Sequence, residues 1–338
     1  TGTPPLASVA RESARTSPQF SQPLATRSPH LDCLEVGPGV SHAVWLRHRR
    51  VGTARTGRRD RRMFSCPRHC SAWRSRALAG ISRMKITFLG TSTVVPAAGR
   101  ETACALVNGT HLIDTGWSAA IRMKSYGYDP MLLDAVFLTH CHHDHYIGLP
   151  QLFFYMTMRA RERPDRPPLK VLGPEEDVQR VVDLSLALLQ PDRFEAVAYT
   201  PEVIPLAPGD TYQDDVLHVT TSRTVHPVAS LCYRFTDAVT GSTLAYTGDT
   251  AYHPPTAEHV ADVDLLVTEA SYGGAAAPDD NGSLHSGAPE AARLARAAGA
   301  KRLALVHCPE DKQREAVAAA RLDFPNTFVP ADGETIEL

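Results

Sequence analysis

Through residues 84–338, short apolar runs alternate with longer segments whose apolar residues recur every three or four positions, the pattern of strands alternating with amphipathic helices. In the first half the runs predict strands at 85–89, 104–107 and 111–113. The last two are joined by Asn108-Gly109, residues that tolerate the positive φ of a tight hairpin turn. A helix is expected over 119–125, a strand over 135–138 and a helix over 149–158. The Pro- and Arg-rich stretch 163–168 reads as a loop; a strand at 169–172 follows and, past Gly173-Pro174, a helix over 175–189. The second half repeats the habit, with strands at 216–220, 231–235, 243–246 and 265–267, a helix over 288–298, a strand at 303–306, a helix over 311–320 and short closing strands near Phe328 and Ile336. Such an α/β order implies two mixed sheets packed face to face with helices outside, a four-layer αββα sandwich whose ligand-bearing loops gather at one edge.

The strand over 135–138 runs into His140-Cys141-His142-His143-Asp144-His145, four histidines and an acid in six residues. Alternate side chains of an extended segment point the same way, so His140 and His142 are able to grip one metal ion. Asp144 and His145 open the following helix and face a neighbouring position, so a second ion fits roughly 3.5–4 Å away, the spacing of two-metal hydrolases. Imidazole and carboxylate donors suit zinc, and less selectively manganese or iron. Cys141 and His143 fall on the alternate positions and are expected to pack or support rather than to ligate. Three further candidates each stand at a strand end: His226 before Pro227, Asp249 in Thr247-Gly248-Asp249-Thr250, and His307 after Leu303-Ala304-Leu305-Val306. Together these make seven candidate ligands for two divalent ions.

Charge divides the chain into two unlike parts. Residues 1–83 hold fifteen Arg, no Lys and four acids, a balance of +11, whereas residues 84–338 carry −13, a contrast that the overall −2 conceals. The leader has Pro, Ser and Arg without helical or strand periodicity and is expected to be disordered. It reads as a non-native extension ahead of Met84, as a basic arm for nucleic acid or an anionic membrane, or as a targeting segment. The 255 residues from Met84 onward suffice for one large core and contain no apolar run of bilayer length, so this portion is expected to be soluble, with no membrane partner. Seven widely spaced cysteines, an odd number, fit a reducing, cytoplasmic setting better than a disulfide framework.

The local sequences and their order resemble the metallo-β-lactamase superfamily and, within it, the ribonuclease Z-like phosphodiesterases. The matching features are Phe88-Leu89-Gly90-Thr91-Ser92, Leu112-Ile113-Asp114-Thr115-Gly116, Leu138 to His145 running on to Gly148-Leu149-Pro150, Thr247-Gly248-Asp249-Thr250, and His307. The resemblance implies that His140, His142 and His226 hold one metal, that Asp144, His145 and His307 hold the other, and that Asp249 bridges them. It also implies that Asp114 orients a ligand histidine and that His285, in Ser283-Leu284-His285-Ser286-Gly287, helps the leaving group depart. In the family a threonine usually follows His-Ser; here Gly287 stands instead.

The implied chemistry is ester hydrolysis by a hydroxide bridging two cations, with Asp144 able to accept its proton. A small phosphodiester is the expected substrate; a lactone, thioester or arylsulfate and transfer-RNA 3′ processing are the alternatives. Ribonucleases resembling the long-armed bacterial members insert a flexible arm before the bridging aspartate, but only 22 residues separate His226 from Asp249. The acidic balance also disfavours folded RNA. The apolar run 152–158 reads either as a wall of the substrate pocket or as core, and the family resemblance allows a homodimer.

Overall fold

The computed structural model describes residues 83–338, so the expectations for the leader lie, but for its last residue, outside the described residues. Two seven-stranded sheets form the centre. The first sheet begins with β1 (Lys85–Gly90), β2 (Cys104–Val107) and β3 (His111–Ile113), which pair antiparallel in sequence order. Helix α1 (Ala119–Ser125) then crosses to β4 (Ala135–Phe137), which lies parallel to β3. One-turn α2 (His143–Tyr146) and α3 (Leu149–Arg159) lead to β5 (Lys170–Pro174), and α4 (Val178–Leu188) leads to β6 (Glu202–Leu206), both strands parallel to β4.

The second sheet opens with an antiparallel set: β7 (Thr211–Gln213), β8 (Leu217–Arg223), β9 (Leu231–Asp237) and β10 (Thr243–Tyr246). One-turn α5 (Thr256–His259) precedes β11 (Leu265–Glu269), α6 (Ala288–Ala298) precedes β12 (Leu303–Val306), and α7 (Gln313–Arg321) precedes β13 (Thr327–Phe328). These strands extend the sheet in parallel from β10. The last strand, β14 (Thr335–Glu337), returns to pair with β1 in the first sheet.

Period-two alternation sorts the strand residues into three cores. Ile86 and Phe88 of β1, Ala135 and Phe137 of β4, and Tyr233 and Phe235 of β9 point between the sheets. Leu89, Val136 and Leu138 point outward beneath α1, α3 and α4, while Ala245, Leu266, Leu303 and Leu305 point outward beneath α6 and α7. The four-layer αββα arrangement is therefore the observed one.

Two strands, β6 and β7, fall where no strand is expected. Both are outermost in their sheets: β7 spans three residues with none buried, and in β6 only Leu206 is buried, with Val203 and Ile204 partly covered and Pro205 interrupting the apolar run. The three residues of β7 are too few and too polar to carry a hydrophobic signature, and in β6 Pro205, which argues against a strand in sequence, is tolerated because the strand lies at the edge. Helix α4 starts three residues later than expected because Glu175–Asp177 form the turn off β5. Helix α7 is likewise preceded by a 3-10 turn, Glu310–Lys312.

Phe137 sits at the centre of the inter-sheet core, with Tyr212, Tyr233 and Phe235 edge-on at ring distances of 5.6, 5.5 and 5.2 Å. It also ends the strand that feeds the histidine turn. Phe137→Ala is expected to cost about 3–5 kcal/mol, measured as a fall in the denaturant midpoint of the full chain.

Candidate metal centre

Strand β4 delivers Leu138 and Thr139 to the sheet edge, where they are pinned to the opposite sheet. Tyr233 donates its hydroxyl to the Leu138 carbonyl at 2.8 Å, and the Leu231 amide donates to the Thr139 carbonyl at 2.9 Å. His140 follows and forms a lone bridge with Ser230. The turn carrying Asp249 approaches just as closely: Gly248 has φ +62°, and a Cβ there would lie 2.6 Å from Thr139 Cβ. Only glycine permits that contact. The remaining candidates also follow the C-terminal ends of strands: Asp114 after β3, His226 after β8 and His307 after β12.

All seven candidate ligands converge. His140, His142 and His226 offer nitrogens within 4.8 Å of one another, and Asp144, His145, Asp249 and His307 form an adjoining group of the same tightness. Asp249 Oδ2 stands 3.4 Å from Nε2 of both His145 and His307 and 4.0 Å from His140 Nε2, between the two groups. Nε2 of His140 and of His145 are buried without any hydrogen-bond partner. Orphaned polar atoms of this kind are rare in protein interiors, and several of them pointing together fit a cation.

The opposite ring nitrogens are engaged, which leaves the inward ones as donors. His145 Nδ1 bonds Asp114 at 2.8 Å, His140 Nδ1 is 3.1 Å from Thr139 Oγ1, His307 Nδ1 is 2.9 Å from Ser271 Oγ, and His226 Nδ1 is 3.4 Å from the Leu284 carbonyl. His142 is the exception and presents Nδ1, 2.9 Å from His226 Nε2. Burial drives the pKa of His140 well below the usual imidazole range and that of His226 down to about 4, so both rings are neutral near pH 7, the ligating form. Burial opposes protonation of His145 and His307 as well, but the nearby acids, Asp249 foremost, overcome it and raise both. One group is thus three imidazoles and the other is rich in carboxylate.

Around these residues lies a cavity of about 240 Å³ lined by Val94, His142, His143, Asp144, Asp249, His285 and His307. The apolar run 152–158 takes no part in that lining. Leu152, Phe153 and Met156 pack in the core beneath the first sheet, so of the two readings of this run the core one holds, and the apolar contribution to the cavity comes from Val94 on the loop after β1. His143 reaches the cavity rim and stacks near Tyr146, and Cys141 packs against the outer core; neither belongs to a ligand group.

A sequence model of the family described as a beta-lactamase superfamily domain matches residues 110–308. The chain belongs to the metallo-β-lactamase superfamily. Its relatives place it on the ribonuclease Z-like branch. It is 31% identical over 230 residues to the probable metallo-hydrolase YhfI of Bacillus subtilis, covering 67% of this chain and 87% of the relative. It is 28% identical over 306 residues to ribonuclease Z of Methanothermobacter thermautotrophicus, covering 75% and 97%. The crystal structure of YhfI superposes with a TM-score of 0.64 at 25% identity over 76% of this chain and all of that one. The one relative is described as a probable metallo-hydrolase and the other as a ribonuclease, and the chain is a hydrolase of the same superfamily.

Within this superfamily site, Glu269 is the residue that the sequence reading missed. It ends β11, is buried, and accepts hydrogen bonds from the Thr250 amide at 2.6 Å, Ser271 Oγ at 2.5 Å and His285 Nδ1 at 3.0 Å. Burial, and then Asp249, raise its carboxyl pKa, while His285 pulls the other way. Its signal was available, because Leu265-Leu266-Val267-Thr268-Glu269 ends an apolar strand in a polar group just as the stretches before Asp249 and His307 do. Gly287 also has its explanation: a Cβ there would lie 1.8 Å from the Ala275 carbonyl oxygen.

Two substitutions test this supporting frame. Asp114→Asn keeps one acceptor oxygen but loses the charge that orients His145, and is expected to weaken metal affinity about 10- to 100-fold in chelator competition. Gly287→Thr, which restores the family's usual residue, is expected to destabilise the chain by about 1–3 kcal/mol in thermal or chemical unfolding, through overpacking against Ala275.

Proposed function

We propose that residues 84–338 form a two-metal hydrolase that cleaves a small phosphodiester. His140, His142 and His226 would hold one ion, Asp144, His145 and His307 the other, and Asp249 both. The observation that carries this reading is the pair of buried, unpartnered Nε2 atoms of His140 and His145, set within two ligand groups that Asp249 adjoins. The nitrogen and oxygen donors favour zinc, with manganese or iron as substitutes. Divalent ions bound there would make water a stronger acid and neutralise charge developing on phosphorus.

The side chains supply the rest. Burial opposes ionisation of Asp144, but the adjacent imidazoles of His145 and His307 outweigh it and hold the carboxyl far below the usual range. It therefore faces the cavity as a carboxylate, able to orient the attacking water and accept its proton. His285 lines the same cavity and commits Nδ1 to Glu269, so Nε2 is the nitrogen left to protonate the departing oxygen. Burial lowers its pKa, yet the Glu269 carboxylate and Asp249 raise it on balance, in favour of the proton-carrying form.

A small substrate is supported by three features. The cavity is modest and its lining includes neither Lys nor Arg. The segment between His226 and Asp249 is occupied by the β9–β10 hairpin, leaving no length for an arm. The acidic balance of residues 84–338 is also unlike that of a long RNA-binding surface. Ribonuclease Z relatives matched over nearly their whole length keep transfer-RNA 3′ processing as the second reading. We further propose a cytoplasmic homodimer. The four cysteines among the described residues, Cys104, Cys141, Cys232 and Cys308, are all unpaired, as a reducing setting requires.

The test is hydrolysis of bis(p-nitrophenyl) phosphate by the full chain, beside a lactone, a thioester, an arylsulfate and a precursor transfer RNA, with and without zinc or manganese. Metal-dependent phosphodiester turnover is expected, with His142→Ala losing more than the roughly 10- to 100-fold typical of removing a mere supporting group. Turnover confined to another ester or to the RNA would overturn the substrate class.

A further inference from the structure

His285 is carried by the loop between β11 and α6, which has no regular structure to hold it. The hydrogen bonds of this loop centre on one side chain, Asn281. Its amide nitrogen donates to the His285 carbonyl at 2.7 Å, and its Oδ1 accepts from the His285 amide at 3.3 Å. The same Oδ1 accepts from the Tyr272 hydroxyl at 3.0 Å, and Tyr272 in turn contacts Ser283 Oγ at 2.7 Å. A carboxamide presents an NH2 donor and a carbonyl acceptor side by side on one carbon, which is what the carbonyl and amide of a single residue require. The intervening Leu284 adopts φ +55°, unusual for a side chain branched beyond Cβ, and persists only where its surroundings impose it. Its carbonyl is the group that faces His226 Nδ1.

We propose that Asn281 is a positioning residue that clamps the His285 main chain, keeping the His285 ring on Glu269 and the Leu284 carbonyl at His226. One clamp then sets both the proton donor and the orientation of a ligand histidine. The inference rests on the reading of His285 as the proton donor to the leaving group.

The experiment compares the full chain with Asn281→Ala, Asn281→Asp and His285→Ala on aryl phosphodiesters whose leaving groups range from p-nitrophenol to the far less acidic phenol. Amide hydrogen exchange at His285 is followed in the metal-free protein. Removing a proton donor slows poor leaving groups most, so His285→Ala should steepen the dependence of kcat on leaving-group acidity. Asn281→Ala should steepen it in the same sense, with about a tenfold loss of kcat on phenyl esters, KM nearly unchanged and faster exchange at the His285 amide. Asn281→Asp keeps the acceptor but loses the donor, and should fall between. If His285→Ala steepens the dependence while Asn281→Ala leaves both slope and exchange at wild-type values, the clamp is wrong. If His285→Ala does not steepen it, the donor reading fails, and exchange at His285 alone decides the clamp: acceleration upholds it and no change overturns it.

Discussion

The buried carboxylate of Asp114 is the constraint from which the site is built. It accepts the Thr139 amide at 2.7 Å, the Thr139 hydroxyl at 2.8 Å and His145 Nδ1 at 2.8 Å, and so ties the end of β3 to the end of β4 and to the one-turn helix beyond. Burying a carboxylate is costly unless it is fully paired, and burial does raise the Asp114 pKa against the pull of His145 and Thr139. Hydrogen bonds to a charged group contribute about 1.5–3 kcal/mol each, enough to hold the backbone at φ +53° on a residue with a side chain. The histidine turn is thereby fixed before any ion is considered.

The second requirement is that two sheets present their ligands to one point. The contacts that achieve it are few and lie close to the ligands: Tyr233 to the Leu138 carbonyl, Leu231 to the Thr139 carbonyl, and Gly248 against the Thr139 side chain. Each joins the first sheet's histidine turn to the second sheet. The aromatic cluster around Phe137 fills the space directly behind them, so packing of the inter-sheet core and spacing of the ligand loops are mechanically linked.

Electrostatics then differentiate the two halves of the centre. Three desolvated, neutral imidazoles face one group, while Asp144 and Asp249 share the other with His145 and His307. Glu269 adds a third buried carboxyl at the edge, coupled to His285 and, through Ser271, to His307. The cavity in front combines this polar floor with a single apolar side chain, Val94.

The histidine run, the strand-ending Asp249 and His307, and the αββα order were legible in the sequence, because each rests on local periodicity or on close spacing of rare residue types. Edge strands β6 and β7 were not: β7 is three mostly polar residues, and the apolar residues of β6 are interrupted by Pro205, which only an edge position tolerates. Glu269 was not singled out although it ends an apolar strand as Asp249 and His307 follow theirs, and an Asn in a Gly-rich loop such as Asn281 becomes informative only when the fold sets it against His285. An apolar helical stripe reads alike whether it faces core or cavity; tertiary packing set Leu152, Phe153 and Met156 of the run 152–158 into the core beneath the sheet and brought Val94 to the site. Sequence alone therefore determined the chemistry available to this chain, since residue type and local spacing set what each group can bind. Tertiary structure decided which groups meet, because burial, the strained backbone at Asp114 and the close approach at Gly248 arise only between segments distant in the chain.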